Sequence, residues 1–272
     1  MAWPQPFTKQ RTVEVGKVST YVAEVGDGPP VVFLHGNPDT HSVWATTVGG
    51  LGAMRCIAPD LPGFGKSQPP LEDLSLDSQG EWVRDLVAAL GLDRFHLVVH
   101  DVGGVYGLAF AALHPQRLSS LTILNTIFFP DYKWHLFGRI WRTRGLGEAA
   151  MAMSTKSLFV SQLRRGSKGM PREYADLAFA EFTAPTKRHV LRYYRAADPS
   201  IWEGWDTKLR TAIAEVPTQV LWGDSDPFIA STFAERFGVA VRHTPHGHWL
   251  MTEDPEWCAS AIAAHVTSAD RA

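Results

Sequence analysis

Cysteine is almost absent: only Cys56 and Cys258 occur in 272 residues, and they form no C-x-x-C pair. That excludes a disulfide framework and a zinc–thiolate cluster. No stretch of 18 apolar residues exists, and the first residues, MAWPQPFTKQR, contain no hydrophobic signal region; neither a membrane-spanning helix nor a secretory leader is expected. Charge of one sign is also lacking. Lys and Arg number 26 against 28 Asp and Glu, a net of −2, so neither nucleic acid nor a membrane surface is an expected partner. There is no internal repeat and no low-complexity tract. No G-x-S-x-G occurs, which argues against a serine esterase or lipase. Gly65-Lys66-Ser67 looks like the end of a phosphate-binding loop, but the position that loop needs as its first glycine is Asp60. The expectation left standing is a soluble, cytoplasmic protein with no cofactor and no resident metal.

What is present is a chain 45% apolar and 20% charged. A chain of this length buries about 70–75% of the surface it exposes when unfolded. Thr12–Val15 and Val18–Val25 flank Gly16-Lys17, a hairpin signal. The run Val31-Val32-Phe33-Leu34 is apolar throughout, as a strand buried on both faces must be. Arg55–Ala58, Phe95–Val99 and Leu121–Leu124 read the same way. Between them lie helical patterns. In Leu76–Leu90, residues Val83, Leu86, Val87 and Leu90 share one face, and Gly91 stops the helix; residues 102–114 are small and apolar. Later, Thr218–Trp222 and Val239–Val241 read as strands and Pro255–Val266 as a closing helix. Alternating strands and helices predict an α/β fold: a mostly parallel sheet with helices on both faces.

The middle differs. Residues 129–210 show helical patterning and no strand. They hold 15 Lys/Arg against 8 Asp/Glu, a net of +7, while the rest holds 11 against 20, a net of −9. The expected organisation is a core of residues 1–128 and 211–272 with a basic helical cap, 129–210, inserted in it.

Four segments carry candidate chemistry, each at the end of a predicted strand, where open α/β sheets bind ligands. In Phe95–Gly107 an apolar strand runs into His100-Asp101 and then Gly103-Gly104 as a helix begins. This is a strand-to-helix elbow with Asp101 at its apex, and the Val102 N–H faces the same space. Asp at that place also serves as a plain helix N-cap. In Leu34-His-Gly-Asn-Pro-Asp39, Asn37 offers a backbone N–H and a side-chain amide, although Gly-Asn-Pro also makes an ordinary turn. In Val220–Pro227, Asp226 is better placed than Asp224 to hold a histidine. In Pro245–Leu250, His248 follows Gly247; the His246-x-His248 spacing has no third metal ligand beside it. The order nucleophile, acid, histidine is that of the α/β-hydrolases.

On these segments, together with Asp60–Ser67 and Leu124-Asn-Thr126, the chain resembles the α/β-hydrolase superfamily. Within it, the chain looks like the aspartate-nucleophile group of epoxide hydrolases and haloalkane and fluoroacetate dehalogenases. The resemblance implies Asp101 as nucleophile, His248 as base and Asp226 as its orienting acid, with N–H groups of Asn37 and Val102 stabilising the oxyanion or holding a halide. It also implies a small apolar substrate bearing an epoxide or a carbon–halogen bond, and water. Dehalogenases of the group usually carry Trp after the nucleophile, and the fluoroacetate enzymes Arg; here that residue is Val102. Epoxide hydrolases need only the backbone N–H there, plus acids in the cap. Tyr194 matches one such acid. Tyr193, His135, Tyr132 and Tyr174 are further candidates for proton donation, Tyr194 serving equally as a packed core tyrosine. His35, His100, Trp134, Trp141 and Trp249 are candidate pocket residues. The absence of a Trp at 102, in a chain with ten of them, turns the expectation from halide release toward epoxide opening.

Overall fold

The computed structural model describes residues 2–271. Eight strands form one sheet: β1 (Lys9–Val15), β2 (Val18–Val25), β3 (Pro30–Leu34), β4 (Arg55–Pro59), β5 (Phe95–His100), β6 (Leu118–Leu124), β7 (Thr218–Gly223) and β8 (Ala240–Thr244), in the order β1-β2-β4-β3-β5-β6-β7-β8. The hairpin β1–β2 and the β2–β4 pair are antiparallel. Every pair from β4 to β8 is parallel. All six residues of β5, Phe-His-Leu-Val-Val-His, are buried, because helices cover both faces of a central parallel strand.

Around the sheet lie α1 (Ala45–Gly49), α2 (Leu76–Ala89), α3 (Asp101–Leu113) and, at the C-terminal end, α10 (Leu250–Glu253) and α11 (Pro255–Ala269). The Ser75 hydroxyl caps α2 by accepting from the Ser78 N–H, and Gly91 leaves that helix at φ 71°. Between β6 and β7 the described chain is helical without a strand: α4 (Leu136–Arg142), α5 (Leu146–Ala152), α6 (Lys156–Gly166), α7 (Arg172–Glu181), α8 (Ala184–Ala196) and α9 (Trp205–Ala212). No helix among the described residues is long and apolar enough to cross a membrane.

Strand ends differ from the sequence reading where backbone pairing runs past the apolar pattern. β1 starts at exposed Lys9, paired with Glu24. β6 starts at Leu118, because Ser120 is kept in the buried strand by its hydroxyl contact with His96 Nδ1 at 2.8 Å. β8 runs to Thr244, paired with Gly223. The chain visits β3, crosses to β4 on one side, then returns to place β5 on the other. The loops leaving β3 and β5 therefore diverge at their carboxyl ends and open a crevice, the usual ligand position in such sheets.

Candidate active site

The turn from β5 into α3 puts Asp101 at φ 48°, a left-handed conformation that costs a non-glycine residue of order 1–3 kcal/mol. Its neighbours hold it there. The Asp101 N–H donates to the Asn125 carbonyl at 3.3 Å, and the Thr126 hydroxyl donates to the Asp101 carbonyl at 2.7 Å. The Asp101 carboxylate reaches over the loop after β3. Its Oδ1 accepts from the Asn37 backbone N–H at 2.7 Å. Gly36 leaves the room for this: a Cβ there would lie 2.5 Å from Asp101 Cβ and 2.7 Å from Oδ1. Val102 is in the first turn of α3, where backbone N–H groups have no acceptor within the helix. The Asn37 N–H is thus the backbone donor seen on the Asp101 carboxylate, and the Val102 N–H is the next one along the chain from Asp101.

His248 lies opposite. Its Nδ1 is 2.7 Å from Asp226 Oδ2 and its Nε2 is 3.6 Å from Asp101 Oδ2. Asp226 is itself held. Its Oδ1 accepts from the Phe228 and Ile229 N–H groups at 2.7 and 3.1 Å, and its Oδ2 from the Asn125 amide at 2.8 Å. The histidine loop is anchored to the helical insertion: the His248 N–H donates to the Gly166 carbonyl at 2.9 Å and the Trp249 N–H to Ser167 Oγ at 2.8 Å. Burial disfavours the His248 imidazolium, but the charge of Asp226 and hydrogen bonds to Asp101 and Asp226 outweigh it and push the pKa up to about 10. Burial likewise disfavours the Asp101 carboxylate; its hydrogen bond to His248 and the charge of that ring hold it down at about 2. Free of ligand, the pair is a carboxylate beside an imidazolium.

A cavity of about 350 Å³ stands over this pair, walled by Asn37, Asp101, Val102, His248, Trp249 and the helices of the insertion. Tyr194, on α8, brings its hydroxyl to 3.4 Å from Asn37 Nδ2. Its ring is clamped by Trp134 and Trp141, each with its centroid at 4.8 Å. Burial keeps the phenol protonated, its pKa well above 10. The phenol oxygen accepts from Asn37, and its own proton meets no acceptor among the described residues. His135 is also on the wall. Its Nδ1 accepts from the Gly138 N–H at 3.3 Å, so Nε2 carries the proton. Burial lowers its pKa to about 4 and keeps it neutral.

Other candidates are placed differently. Tyr193 is on the wall, but its hydroxyl donates to Gln79 Oε1 at 3.2 Å, away from Asp101. Tyr132 donates to the Phe228 carbonyl and Tyr174 to Asp39 Oδ1. His35 and His100 are not among the cavity-lining residues. His35 props two loops, accepting the Leu61 N–H at Nε2 (2.9 Å) and meeting the Gly36 carbonyl at Nδ1 (2.8 Å). His100 lies beneath His248, ring centroids 4.7 Å apart, with its Nε2 on the His248 carbonyl at 3.0 Å; burial takes its pKa to about 3. Trp134 and Trp249 line the cavity, but their indole N–H groups donate to the Ala197 carbonyl (3.2 Å) and Asp39 Oδ2 (2.9 Å). His246 faces Asp254, 3.4 Å from its Oδ2, and the described residues contain no metal-holding group of three or more His, Cys, Asp or Glu.

Sequence reasoning assigned no role to Asn125, Asp39, Ser167 or Trp202. Asn125 has the clearest signal, a polar residue directly after an apolar strand. It also clamps β6 to β7 by accepting the Gly223 N–H at 2.9 Å. Asp39 is buried, holding Tyr174 of the insertion and Trp249 of the histidine loop on its two oxygens. Trp202 borders the cavity, and its buried Nε1 has no partner.

Comparison with known proteins agrees with this arrangement. Residues 29–147 match the family described as alpha/beta hydrolase fold. A haloalkane dehalogenase of Mesorhizobium japonicum is 27% identical, covering 90% of this chain and 86% of that protein. A cis-3-alkyl-4-alkyloxetan-2-one decarboxylase of Shewanella oneidensis is 26% identical over 97% and 90%, and epoxide hydrolase 3 of Siraitia grosvenorii is 28% identical over 79% and 80%. Among solved structures, the haloalkane dehalogenase DbeA of Bradyrhizobium elkani superposes with a TM-score of 0.78 at 25% identity, over 97% of this chain and 99% of that one. By its sheet order, its strand-end loops and these similarities, the chain has the α/β-hydrolase fold and resembles hydrolases of that fold, with Asp101 at the turn from β5 into α3.

Proposed function

We propose that the protein opens an epoxide to a diol through an ester on Asp101. The observation that carries this is the Tyr194 phenol: buried, protonated, hydrogen-bonded to Asn37 and part of the cavity wall over Asp101. Opening a strained ring puts negative charge on an oxygen that stays attached to the substrate, so the site needs a side-chain proton donor. Tyr194 supplies it, and the His135 Nε2–H is the second donor.

The steps follow from the geometry. Asp101 Oδ2, the oxygen nearer His248, attacks a ring carbon from behind. The carbon–oxygen bond breaks, and Tyr194 gives its proton to the leaving oxygen. The ester now on Asp101 is neutral, so one of the charges that raise the His248 pKa is gone. The imidazolium releases its proton, which restores Tyr194. His248 is thereby a base only once the intermediate exists. It takes a proton from water as the water attacks the Asp101 carbonyl carbon. The developing oxyanion on Oδ1 is held by the N–H groups of Asn37 and Val102, each such donor worth about 3–4 kcal/mol. Asp226 fixes the tautomer and supports the returning imidazolium. Collapse releases the diol oxygen, which takes the carboxyl proton and leaves Asp101 ionised beside charged His248.

A second reading is carbon–halogen hydrolysis by the same groups. It is favoured by Trp202, a cavity-lining residue with an unpartnered buried indole N–H that would hold a halide together with the Asn37 amide. Trp134 and Trp249 do not serve there, because their N–H groups are already bonded. A fluoroacetate-type substrate finds no counter-ion, since no Lys or Arg is among the described wall residues.

Turnover of a panel of epoxides and haloalkanes, reading diol and halide separately, tests the assignment. Diol from epoxides is the expected result; halide release with no diol from any epoxide assigns the second reading instead.

A further inference from the structure

Four large apolar side chains are strongly exposed among the described residues: Leu136, Leu146, Met153 and Leu158, at 59%, 52%, 71% and 46%. Three of them, Leu146, Met153 and Leu158, also line the cavity that contains Asp101; Leu136 does not. A side chain that is both on a cavity wall and open to solvent marks the opening. The cavity therefore opens at the lip formed by α5, the turn after it and the start of α6. Scattered exposed leucines need no explanation, but three of four on one opening do.

The wall is divided chemically. The groups that can polarise or attack, Asn37, Asp101, Tyr194 and His248, belong to the inner end, while α5 and α6 contribute Ala149, Met151, Leu163 and the lip. This part also holds the neutral side chains of Ser154 and Gln162 but no Lys, Arg or Glu. A ligand matching this division is polar at one end and hydrocarbon along the rest.

We propose that the substrate is an epoxide at or near the end of an extended hydrocarbon chain, with the chain running out across Leu146, Met153 and Leu158. This rests on the epoxide reading for the reacting group, but the chain assignment stands on the lip alone. Covering these side chains with substrate methylenes removes apolar surface of both from water. Each methylene then raises apparent affinity by roughly two- to fourfold until the lip is filled.

The test is kcat/KM for straight-chain 1,2-epoxyalkanes of increasing length, kept below their solubility limits. The wild type should climb with length and then level off. The double substitution Met153→Ser, Leu158→Ser should cut the long-to-short ratio by at least roughly fivefold, whereas Leu136→Ser, equally exposed but off the cavity, should leave it unchanged. A flat wild-type series overturns the proposal, as does an equal effect of Leu136→Ser. If the lip substitutions abolish a dimer in sedimentation without altering chain-length dependence, the lip is a self-association surface and the proposal also falls. If no epoxide is opened at all, the epoxide reading fails on its own, and the same series of 1-bromoalkanes with halide readout decides the chain assignment.

Discussion

The Asn37 side-chain amide lies 3.4 Å from the Tyr194 hydroxyl, joining the loop that holds Asp101 to the helical insertion that covers it. Asn37 thus does two things at once. Its backbone N–H donates to Asp101 Oδ1 at 2.7 Å, and its amide donates to the phenol that serves as acid in the proposed reaction. Tyr194→Phe keeps the clamp between Trp134 and Trp141 and removes the hydroxyl, its proton and its contact with the Asn37 amide together. Epoxide opening should fall by about 10²–10³ in kcat, while carbon–halogen cleavage, which needs no proton on the leaving group, should change little. An unchanged epoxide rate would return Tyr194 to a packing role.

His248→Gln should stop the reaction after the first chemical step. A confirmed substrate should then leave its full mass on the peptide containing Asp101, and a protein without an adduct would contradict the ester. In the wild type, a single turnover in ¹⁸O-water should label Asp101 and leave the first diol unlabelled, because water attacks the aspartyl carbonyl and not the substrate carbon.

The charged pair also sets a stability profile. His248 is raised to about 10 when folded, so its contribution is complete below its unfolded pKa near 6.5 and is lost as pH rises toward 10. Asp101 is lowered to about 2, so its contribution is complete above about 4 and is lost as pH falls toward 2. Together they place the best stability between pH ~4 and ~6.5. Melting temperatures should decline from pH 7 to 10 in the wild type and more shallowly in His248→Gln. Parallel curves would show that the pair carries no such linkage.

Asp39 ties the insertion to the histidine loop, accepting from Tyr174 on one oxygen and Trp249 on the other. Burial raises its pKa to about 6 despite these donors, so this group costs stability as pH rises from about 4 to 6. Tyr174→Phe leaves a buried carboxylate oxygen without its donor. The expected loss is about 1–3 kcal/mol, or a melting temperature lower by roughly 2–4 °C per kcal/mol in a chain of this size. The loss should be larger at pH 8 than at pH 4, where the carboxyl is neutral. Equal losses at both pH values would exclude the charge as their cause.

Gly36→Ala should fold and lose most activity. The added methyl would sit 2.5 Å from Asp101 Cβ, and on the proposed mechanism displacing Asp101 from its Asn37 N–H donor by a fraction of an ångström should cost about 10²-fold or more in kcat. Gly49→Ala, where nothing lies within 4 Å, is the matched control. Similar activity in the two variants would show that Asp101 is not constrained from that side.

The α/β alternation and the central strands were legible because strands buried on both faces must be apolar throughout, and the helices between them alternate faces. Asp101, Asp226 and His248 were legible as candidates because each follows a predicted strand within a few residues, where special backbone geometry or polar chemistry explains such a residue. The supporting residues were not. Asn125 acts by reaching from β6 across to Asp226, 101 positions away, and Ser167 by reaching from the insertion to Trp249; no local pattern encodes a contact at that distance. Pocket membership was equally hidden. His35 and His100 read as pocket residues because they flank the key motifs, yet both turn inward as props, His35 on the Leu61 N–H and His100, the last residue of β5, on the His248 carbonyl.

By itself the sequence determined the sheet, the chain order of the three central residues and the residue that follows Asp101. Tertiary structure alone decided which tyrosine, of Tyr132, Tyr174, Tyr193 and Tyr194, keeps a free proton beside Asp101. Four phenols of the same chemistry differ only in what stands within 3.5 Å of each hydroxyl, and that is set by how the helices of the insertion fold back over the core.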